Sequence, residues 1–588
     1  MLKADNIVSY KQYLVSIFII WILVIILIGR FFQIQIMGHD QYSKKANTNR
    51  IRKVTSTAPR GLILDRNGQI LVDNSPTYVL TAIPGELSHK EKKFNIISDI
   101  LGLDSLTVSK NYKKYYRGKF LPARIAKDLT FNQLSQLEEN KINLGGIYYE
   151  QFPERYFPSK VNASHILGYV REIDKPIRSG LDQKNEYEIG DMIGWIGLEK
   201  QYESFLKGIR GIYFYEVDAF GREVGQVQEL EPQNPEPGKN IVTTLDMEIQ
   251  YKIEEIMVGK KGVIMVGNPE TGAILGAVSA PFFEPDLFTG LMLEKDWEKV
   301  LQHPDKPLFN RMIQGLYPPG SIVKMVTASN LLTNPEFDPK ITQICEGHYQ
   351  FGDRLFGCWS DLGHGAMDLT AAILNSCDIY FYKNVHLIDL NDLSRSFQSF
   401  GFGHPTQIDI PGELIGIVPT MEYMNTRYGR YGWSKGALLN ICIGQGELLV
   451  TPIQVFNYIN LLATRGKAGT PHLVMVDNIP ENISTRLDTK HWDRIISDMR
   501  NVIIHKNGTG RRANPDILGM DIYGKTGTSE NPHGENHAWF IGWAEYGGAK
   551  LSIVVLLENS GSGGAVAAPL AQKVFNQIAT YNQFTFND

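Results

Sequence analysis

From Tyr13 to Gly29 the chain carries no charged side chain, and thirteen of those positions are Leu, Ile, Val or Phe. Each contributes about -0.3 to -0.6 kcal/mol to bilayer insertion, so the run favours insertion by roughly 4 to 8 kcal/mol. With Arg30 snorkelling, Phe31, Phe32, Ile34, Ile36 and Met37 lengthen the apolar span to about twenty-five residues, enough for a hydrocarbon core about 30 Å thick. No Pro precedes Pro59 and no small-residue cleavage site follows Gly29, which argues for one uncleaved helix over a removed signal peptide. The expected layout is a cytoplasmic tail at 1–12 and a transmembrane anchor at 13–36. Lys3 and Lys11 lie on one flank, and Lys44, Lys45, Arg50, Arg52, Lys53 and Arg60 follow on the other. Flanking charge therefore leaves orientation open, and the extracytoplasmic side is assigned to the bulk of the chain by the chemistry below.

At 588 residues the chain exceeds one ordinary core, so several domains are expected. Hydrophobic content of 43%, charged content of 21% and a net charge of -4 describe folded material with no nucleic-acid partner. Arg60 to Val72 holds two β-rich runs around Asn67-Gly68, a hairpin signal. Lys-rich helices are expected near Glu91–Leu101 and Thr130–Glu139, inside a head inserted around 84–182. A helix from Gly194 to Leu206 is expected to pack the stalk. The Pro/Gly-rich stretch Glu229–Lys239 marks a linker, dividing a pedestal at 37–240 from a last domain at 241–588.

That last domain opens with strands at Gly262–Val266 and Ile274–Val278. It closes with strands at Asp521–Thr528, Ala538–Trp543 and Leu551–Leu557 and a helix near Ala565–Ala579, with helices between. Strands at both ends joined through helices predict an α+β class, an antiparallel sheet packed by helices.

Three motifs carry chemistry: Ser321-Ile322-Val323-Lys324, Ser376-Cys377-Asp378 and Lys525-Thr526-Gly527-Thr528. Tyr317-Pro318-Pro319-Gly320 cannot continue a helix, so Ser321 is expected where a new one begins, its backbone N–H groups free to stabilise an oxyanion. Lys324 lies one turn on, where its amine can take the serine proton. Lys525 is expected as the second cation that makes Lys324 shed its own proton. Ser376 can relay a proton to the leaving amine, and Asp378 can orient the lysines. Lys525, Thr526 and Thr528 can hold a terminal carboxylate, and Gly527 is expected to clear the strand edge for substrate backbone.

Together these residues match the signature of β-lactamases and penicillin-binding proteins, and the whole chain resembles the class B penicillin-binding proteins. The likeness extends to Arg60-Gly61 through Asp65-Arg66-Asn67-Gly68, Gly197-Leu198-Glu199 with Tyr202, Tyr317-Pro318-Pro319-Gly320, Gly444-Gln445-Gly446, and Thr451-Pro452. Asp378, where division-type members usually carry Asn, looks like the elongation type. The resemblance implies a five-stranded transpeptidase domain on a pedestal and a D,D-transpeptidase in the cytoplasmic (inner) membrane. It would join a donor stem peptide to an acceptor amine in peptidoglycan through a Ser321 ester, with a D,D-carboxypeptidase side activity, and β-lactams would acylate the same serine. It also implies a RodA-type glycosyltransferase and an MreC-type scaffold as partners. The alternatives are a division-type transpeptidase, a serine β-lactamase, and a β-lactam sensor or inactive scaffold. Ser529-Glu530 after the clamp departs from the usual Ala-Gln.

Three of the four cysteines cluster with a histidine: Cys345, twelve residues, Cys358, five, His364, twelve, Cys377. Three thiolates and an imidazole suit a structural zinc that would steady the relay segment, with His348 or Asp353 as substitute ligands. The acyl transfer itself needs no cofactor. A disulfide or buried free thiols are the alternatives, and Cys442 reads as core.

Overall fold

The computed structural model describes residues 10–37, 51–116, 118–119, 121–182, 186–217, 223–227, 230–288, 294–475, 481–532 and 534–580. Helix α1, Tyr10–Phe32, runs on through Gln33–Met37 to make 28 apolar-rich residues, none of the span buried. At 1.5 Å per residue it is about 42 Å long, more than a hydrocarbon core requires. Arg30 turns along the helix to donate to Gln33 Oε1 at 2.6 Å, leaving the preceding face wholly apolar. The helix has the length and composition of a single-pass anchor. The segment before it, the basic residues Lys44, Lys45 and Arg50, and Glu229 of the expected linker lie outside the described residues.

The remainder divides into two compact units. The first takes Thr77–Phe152 and Gly208–Pro237 along with the N-terminal residues to Pro59. It contains a three-stranded antiparallel sheet of Ile51–Ser56, Gly211–Val217 and Glu223–Gln226. It also contains a small core of its own, in which Phe94, Ile97, Val108, Ile125 and Leu137 are buried. Lys90–Leu101 and Phe131–Glu139 are helical as expected, the second started by a capping box between Thr130 and Gln133.

The second unit comprises Arg60–Pro76, Pro153–Lys207 and Gly238 onward. The Asn67-Gly68 hairpin is present: Ile63 lies opposite Val72, Gly68 has φ 79°, and Asp65 Oδ1 accepts from Asn67 and Gln69 N–H at 2.8 Å. Its main sheet holds β1 Gly262–Gly267, β2 Ile274–Ala280, β3 Asp521–Ser529, β4 His537–Tyr546 and β5 Ala549–Leu557, in the order β2-β1-β5-β4-β3, antiparallel throughout. The first and last strands of the domain thus pair, as expected. Every residue of β1 and β2 is buried, because helices cover both faces and the strands therefore do not alternate polar with apolar. Met247–Met257 (α2) and Ala568–Thr580 (α7) pack on this sheet, while Pro452–Ala463 (α6) is buried along its whole length in the core. Strand β3 is an edge, so one row of its backbone groups has no strand partner.

Candidate active site

The serine is set by backbone approach. Gly320 has φ 57°, its N–H donates to Gly444 O at 2.8 Å, and a Cβ there would lie 2.7 Å from Thr528 O. Only glycine fits such a turn at low cost. Gly320–Val323 then forms a tight 3₁₀ turn, and the α-helix proper, α3, runs Lys324–Thr333. Ser321 therefore sits in the turn ahead of the helix and not at its first residue. In a 3₁₀ turn residues three apart eclipse, which puts Ser321 and Lys324 on one side. Tyr458 Oη holds the turn by donating to Ile322 O at 3.1 Å.

Ser376 lies between helices α4, Leu369–Leu374, and α5, Asp378–Lys383, with its backbone in the left-handed region at φ 54°. A non-glycine residue held there costs on the order of 1 kcal/mol. The conformation turns its carbonyl and hydroxyl toward two buried amines. Lys324 Nζ donates to Ser376 O at 2.7 Å and to Asp378 Oδ1 at 2.8 Å, and lies 3.4 Å from Ser376 Oγ. Lys525 Nζ donates to Ser376 Oγ at 2.8 Å and to Thr526 O at 3.0 Å. Ser321 Oγ is not among the hydrogen-bond partners of Lys324 among the described contacts.

The two lysines differ. Lys324 has a carboxylate partner, whereas burial, and then the charge of Lys324, push Lys525 well below the ordinary lysine range against the attraction of Asp378. Burial raises the Asp378 carboxyl, with Lys324 opposing. Lys525, expected as the cation that depresses its partner, is itself the depressed amine.

Strand β3 brings the third motif alongside. Thr526 Oγ1 and Thr509 Oγ1 are 2.8 Å apart, and Thr528 Oγ1 accepts from Gly563 N–H at 3.3 Å. Thr528 O accepts from Gln445 Nε2 at 3.3 Å. Because N–H and C=O of one residue face the same side of an antiparallel strand, the Thr528 N–H also points off the open edge. Gly527 differs from expectation: a Cβ there would meet Ile322 Cγ2 at 2.8 Å and Pro319 O at 3.1 Å. The missing side chain lets the strand close on the serine turn. Ser321, Ser376, Asp378, Trp359, Tyr382 and Thr526–Thr528 line one cleft of about 1320 Å³.

Sequence reasoning missed Thr509 and Trp359, whose N–H lies 3.4 Å from Asp378 Oδ2. Both are single residues in loops, without a local signal. Gln445 was visible only as part of a quoted motif.

Cys345, Cys358, His364 and Cys377 converge, their ligand atoms all within 4.8 Å of one another. Both Cys345 Sγ and Cys358 Sγ lie 3.5 Å from His364 Nδ1. Tetrahedral zinc with bonds of 2.0 to 2.3 Å spaces its ligand atoms about 3.5 to 3.8 Å apart, so the two Cys–His spacings match, and three thiols with one imidazole are donor types that zinc takes. All four cysteines stand as free thiols, and Cys442 is buried with its thiol on Leu439 O. His348 and Asp353 stand outside the cluster, on a separate exposed hairpin.

Residues 262–578 match the penicillin binding protein transpeptidase domain and residues 55–243 the penicillin-binding protein dimerisation domain. The chain is 31% identical to the peptidoglycan D,D-transpeptidase MrdA of Haemophilus influenzae, over 99% of this chain and 94% of that one. It is similar to the penicillin-binding protein PBP2 in a complex with MreC from Helicobacter pylori, with a TM-score of 0.82 and 29% identity over 91% of this chain and 100% of that one. A chain from the solved structure "Structural coordination of polymerization and crosslinking by a peptidoglycan synthase complex" gives a TM-score of 0.69 at 26% identity, over 96% of this chain and 98% of that one. With the motifs gathered on one cleft and both domains matched along the chain, this protein belongs to the penicillin-binding protein transpeptidase family.

Proposed function

We infer that the chain is an elongation-type peptidoglycan D,D-transpeptidase that works through an acyl-enzyme on Ser321. The observation that carries this reading is Ser376 Oγ set between two buried lysine amines on the wall of the cleft that holds Ser321 and the β3 edge. Lys324 takes the proton of Ser321 as its oxygen attacks the penultimate D-Ala carbonyl of a donor stem peptide. Lys525, held toward the neutral form, receives the proton that Lys324 must first give up, passed through Ser376 Oγ. Asp378 keeps Lys324 oriented. The Ser321 and Thr528 N–H groups form the oxyanion hole, each worth on the order of 3 kcal/mol. Terminal D-Ala leaves with a proton from the same relay, its carboxylate held by Lys525, Thr526 and Thr528. An acceptor amine then resolves the ester, and β-lactams stop at that stage.

A structural zinc on Cys345, Cys358, His364 and Cys377 would tether the loop ahead of His364 to the residue between Ser376 and Asp378. Metal analysis of purified protein tests it: close to one equivalent is expected, lost in Cys358→Ala, and less than about a tenth of an equivalent ends the idea. The chemistry asks for the catalytic unit on the extracytoplasmic side of the anchor. Residues 1–12 serve as tail, 13–36 as anchor, 37–240 as pedestal with a head around 84–182, and 241–588 as transpeptidase. The likeness to a PBP2–MreC complex and to a synthase chain supports an MreC-type scaffold and a RodA-type glycosyltransferase as partners.

Fluorescent penicillin with the full chain in detergent tests the reaction. Long-lived labelling, absent in Ser321→Ala, is expected. Rapid turnover would make the protein a β-lactamase, and no labelling of the wild type would make it a scaffold.

A further inference from the structure

Acyl transfer to an amine needs a second substrate beside the ester, and on the transpeptidase reading the donor takes the β3 edge. The cleft does not end at the serine. A second groove of about 320 Å³, with Met424, Tyr428 and Trp433 in its lining, shares Arg354, Phe356, Asn440 and Gly446 with the cleft, so the two are continuous. Where they meet stands Gln445, whose amide ties two backbone positions of the clamp segment. Its Nε2 donates to Thr528 O at 3.3 Å, and its Oε1 accepts from Glu530 N–H at 3.4 Å. Glu530 follows directly on β3 and is exposed on the cleft wall.

Besides Asp378, which holds Lys324, two carboxylates lie along this path. Glu447 in the groove is already engaged, by Arg427 at 3.2 Å and Tyr423 Oη at 3.2 Å. Glu530 has no cationic partner among the described residues. Arg354 and Arg512 also line the cleft, neither in an ion pair with Glu530, and a carboxylate left unpaired beside an ester that must be attacked by an amine attracts that amine in its ammonium form.

We propose that Glu530 recognises the cationic amine of the acceptor strand, which reaches Ser321 along the groove past Asn440 and Gly446. The inference rests on the transpeptidase reading and names the binding group for its second substrate. The ammonium sheds one proton to solvent on leaving Glu530. Its nitrogen bonds to the ester carbonyl, the carbon–Oγ bond breaks, and the second nitrogen proton returns to Ser321 Oγ through Lys324 and Ser376. No oxidant or further reactant is required.

The test uses the full chain in detergent, a thioester donor and two acceptors at pH 7.5: the amide of an N-acetylated lysine, cationic on its side chain, and hydroxylamine, which is neutral. Glu530→Gln should raise KM for the lysine amide about five- to tenfold, as loss of one charge-assisted contact predicts, with hydroxylamine KM moving less than twofold. Glu530→Asp should restore part of the loss, and 0.5 M salt should shrink the wild-type advantage. Equal shifts for both acceptors, or none for either, would overturn the assignment. A wild type that fails to take up penicillin would instead sink the transpeptidase reading, so the two failures are distinct.

Discussion

Two buried charge clusters in the same unit are built on opposite principles. Around Glu199 the signs balance: Arg60 reaches Glu199 at 2.6 Å and Glu203 at 2.7 Å, and Arg155 reaches Glu199 at 2.5 Å. Tyr187 Oη and Gly194 N–H complete the bonds to Glu203. Although burial opposes its charge, Glu199 and then Glu203 hold the Arg60 guanidinium above its ordinary value. The cleft cluster has two lysines for one aspartate, a serine in the left-handed region, and an amine depressed by burial and then by the charge of Lys324. A charge-balanced ion network resists change of protonation and fixes geometry. The unbalanced one keeps a proton ready to move.

Breaking the unbalanced cluster should cost most in rate. Lys525→Met should lower the second-order rate of penicillin acylation about a thousandfold, about 4 kcal/mol at the transition state, while the melting temperature changes little. A fall of less than tenfold would show that Lys525 is dispensable to the relay.

The balanced cluster should fail the other way. Glu199→Gln leaves Arg155 without its carboxylate partner and Arg60 with Glu203 alone, and should destabilise the second unit by about 3 to 5 kcal/mol, read by chemical denaturation. If stability holds and only acylation falls, the division between the clusters is wrong.

His165 sharpens the contrast as a buried base with no anion beside it. Burial first, and then the charge of Arg311, lower it from 6.5 to about 4, against a bond to the Pro307 carbonyl. Between those values the unfolded chain binds a proton that the folded one refuses, so stability falls as pH drops through the window. The loss by pH 4 is about 3 kcal/mol. His165→Gln should flatten the difference between urea midpoints at pH 7 and pH 4.

The smallest change should be Gly527→Ala. Its methyl meets Ile322 and Pro319 O, and displacing them costs about 1 to 3 kcal/mol. Acylation should fall about tenfold through movement of Ser321, with donor KM less affected. Had the glycine only opened the edge to substrate, KM would carry the loss.

Local patterns made much of this visible. The anchor, the Asn67-Gly68 hairpin, the five strands of the main sheet and the motif residues all follow from apolar runs, turn residues and spacing. Less visible was anything resting on a long-range neighbour. The helix expected from Gly194 to Leu206 starts late, because Gly194 still belongs to the strand Met192–Gly194 and a Cβ at Gly194 or Gly197 would strike Glu199 O or Ile166 O, and it forms as two short helices, Gly197–Gln201 and Glu203–Leu206. The clustering of Cys345, Cys358, His364 and Cys377 was legible from their scarcity, whereas the exclusion of His348 and Asp353 depends on where a hairpin turns.

By itself, the order of residues determined that an apolar helix precedes a multidomain body, that the last domain closes a sheet from both its ends, and which motif residues gather at one cleft. These are consequences of periodicity and of side-chain type. Tertiary structure alone decided which lysine lacks a carboxylate partner, that Gly527 faces the serine turn, and that Glu530 stands on the cleft in no ion pair among the described residues. Charge state and contact depend on burial and on partners over a hundred residues away in the chain, and no local pattern encodes the distance between them.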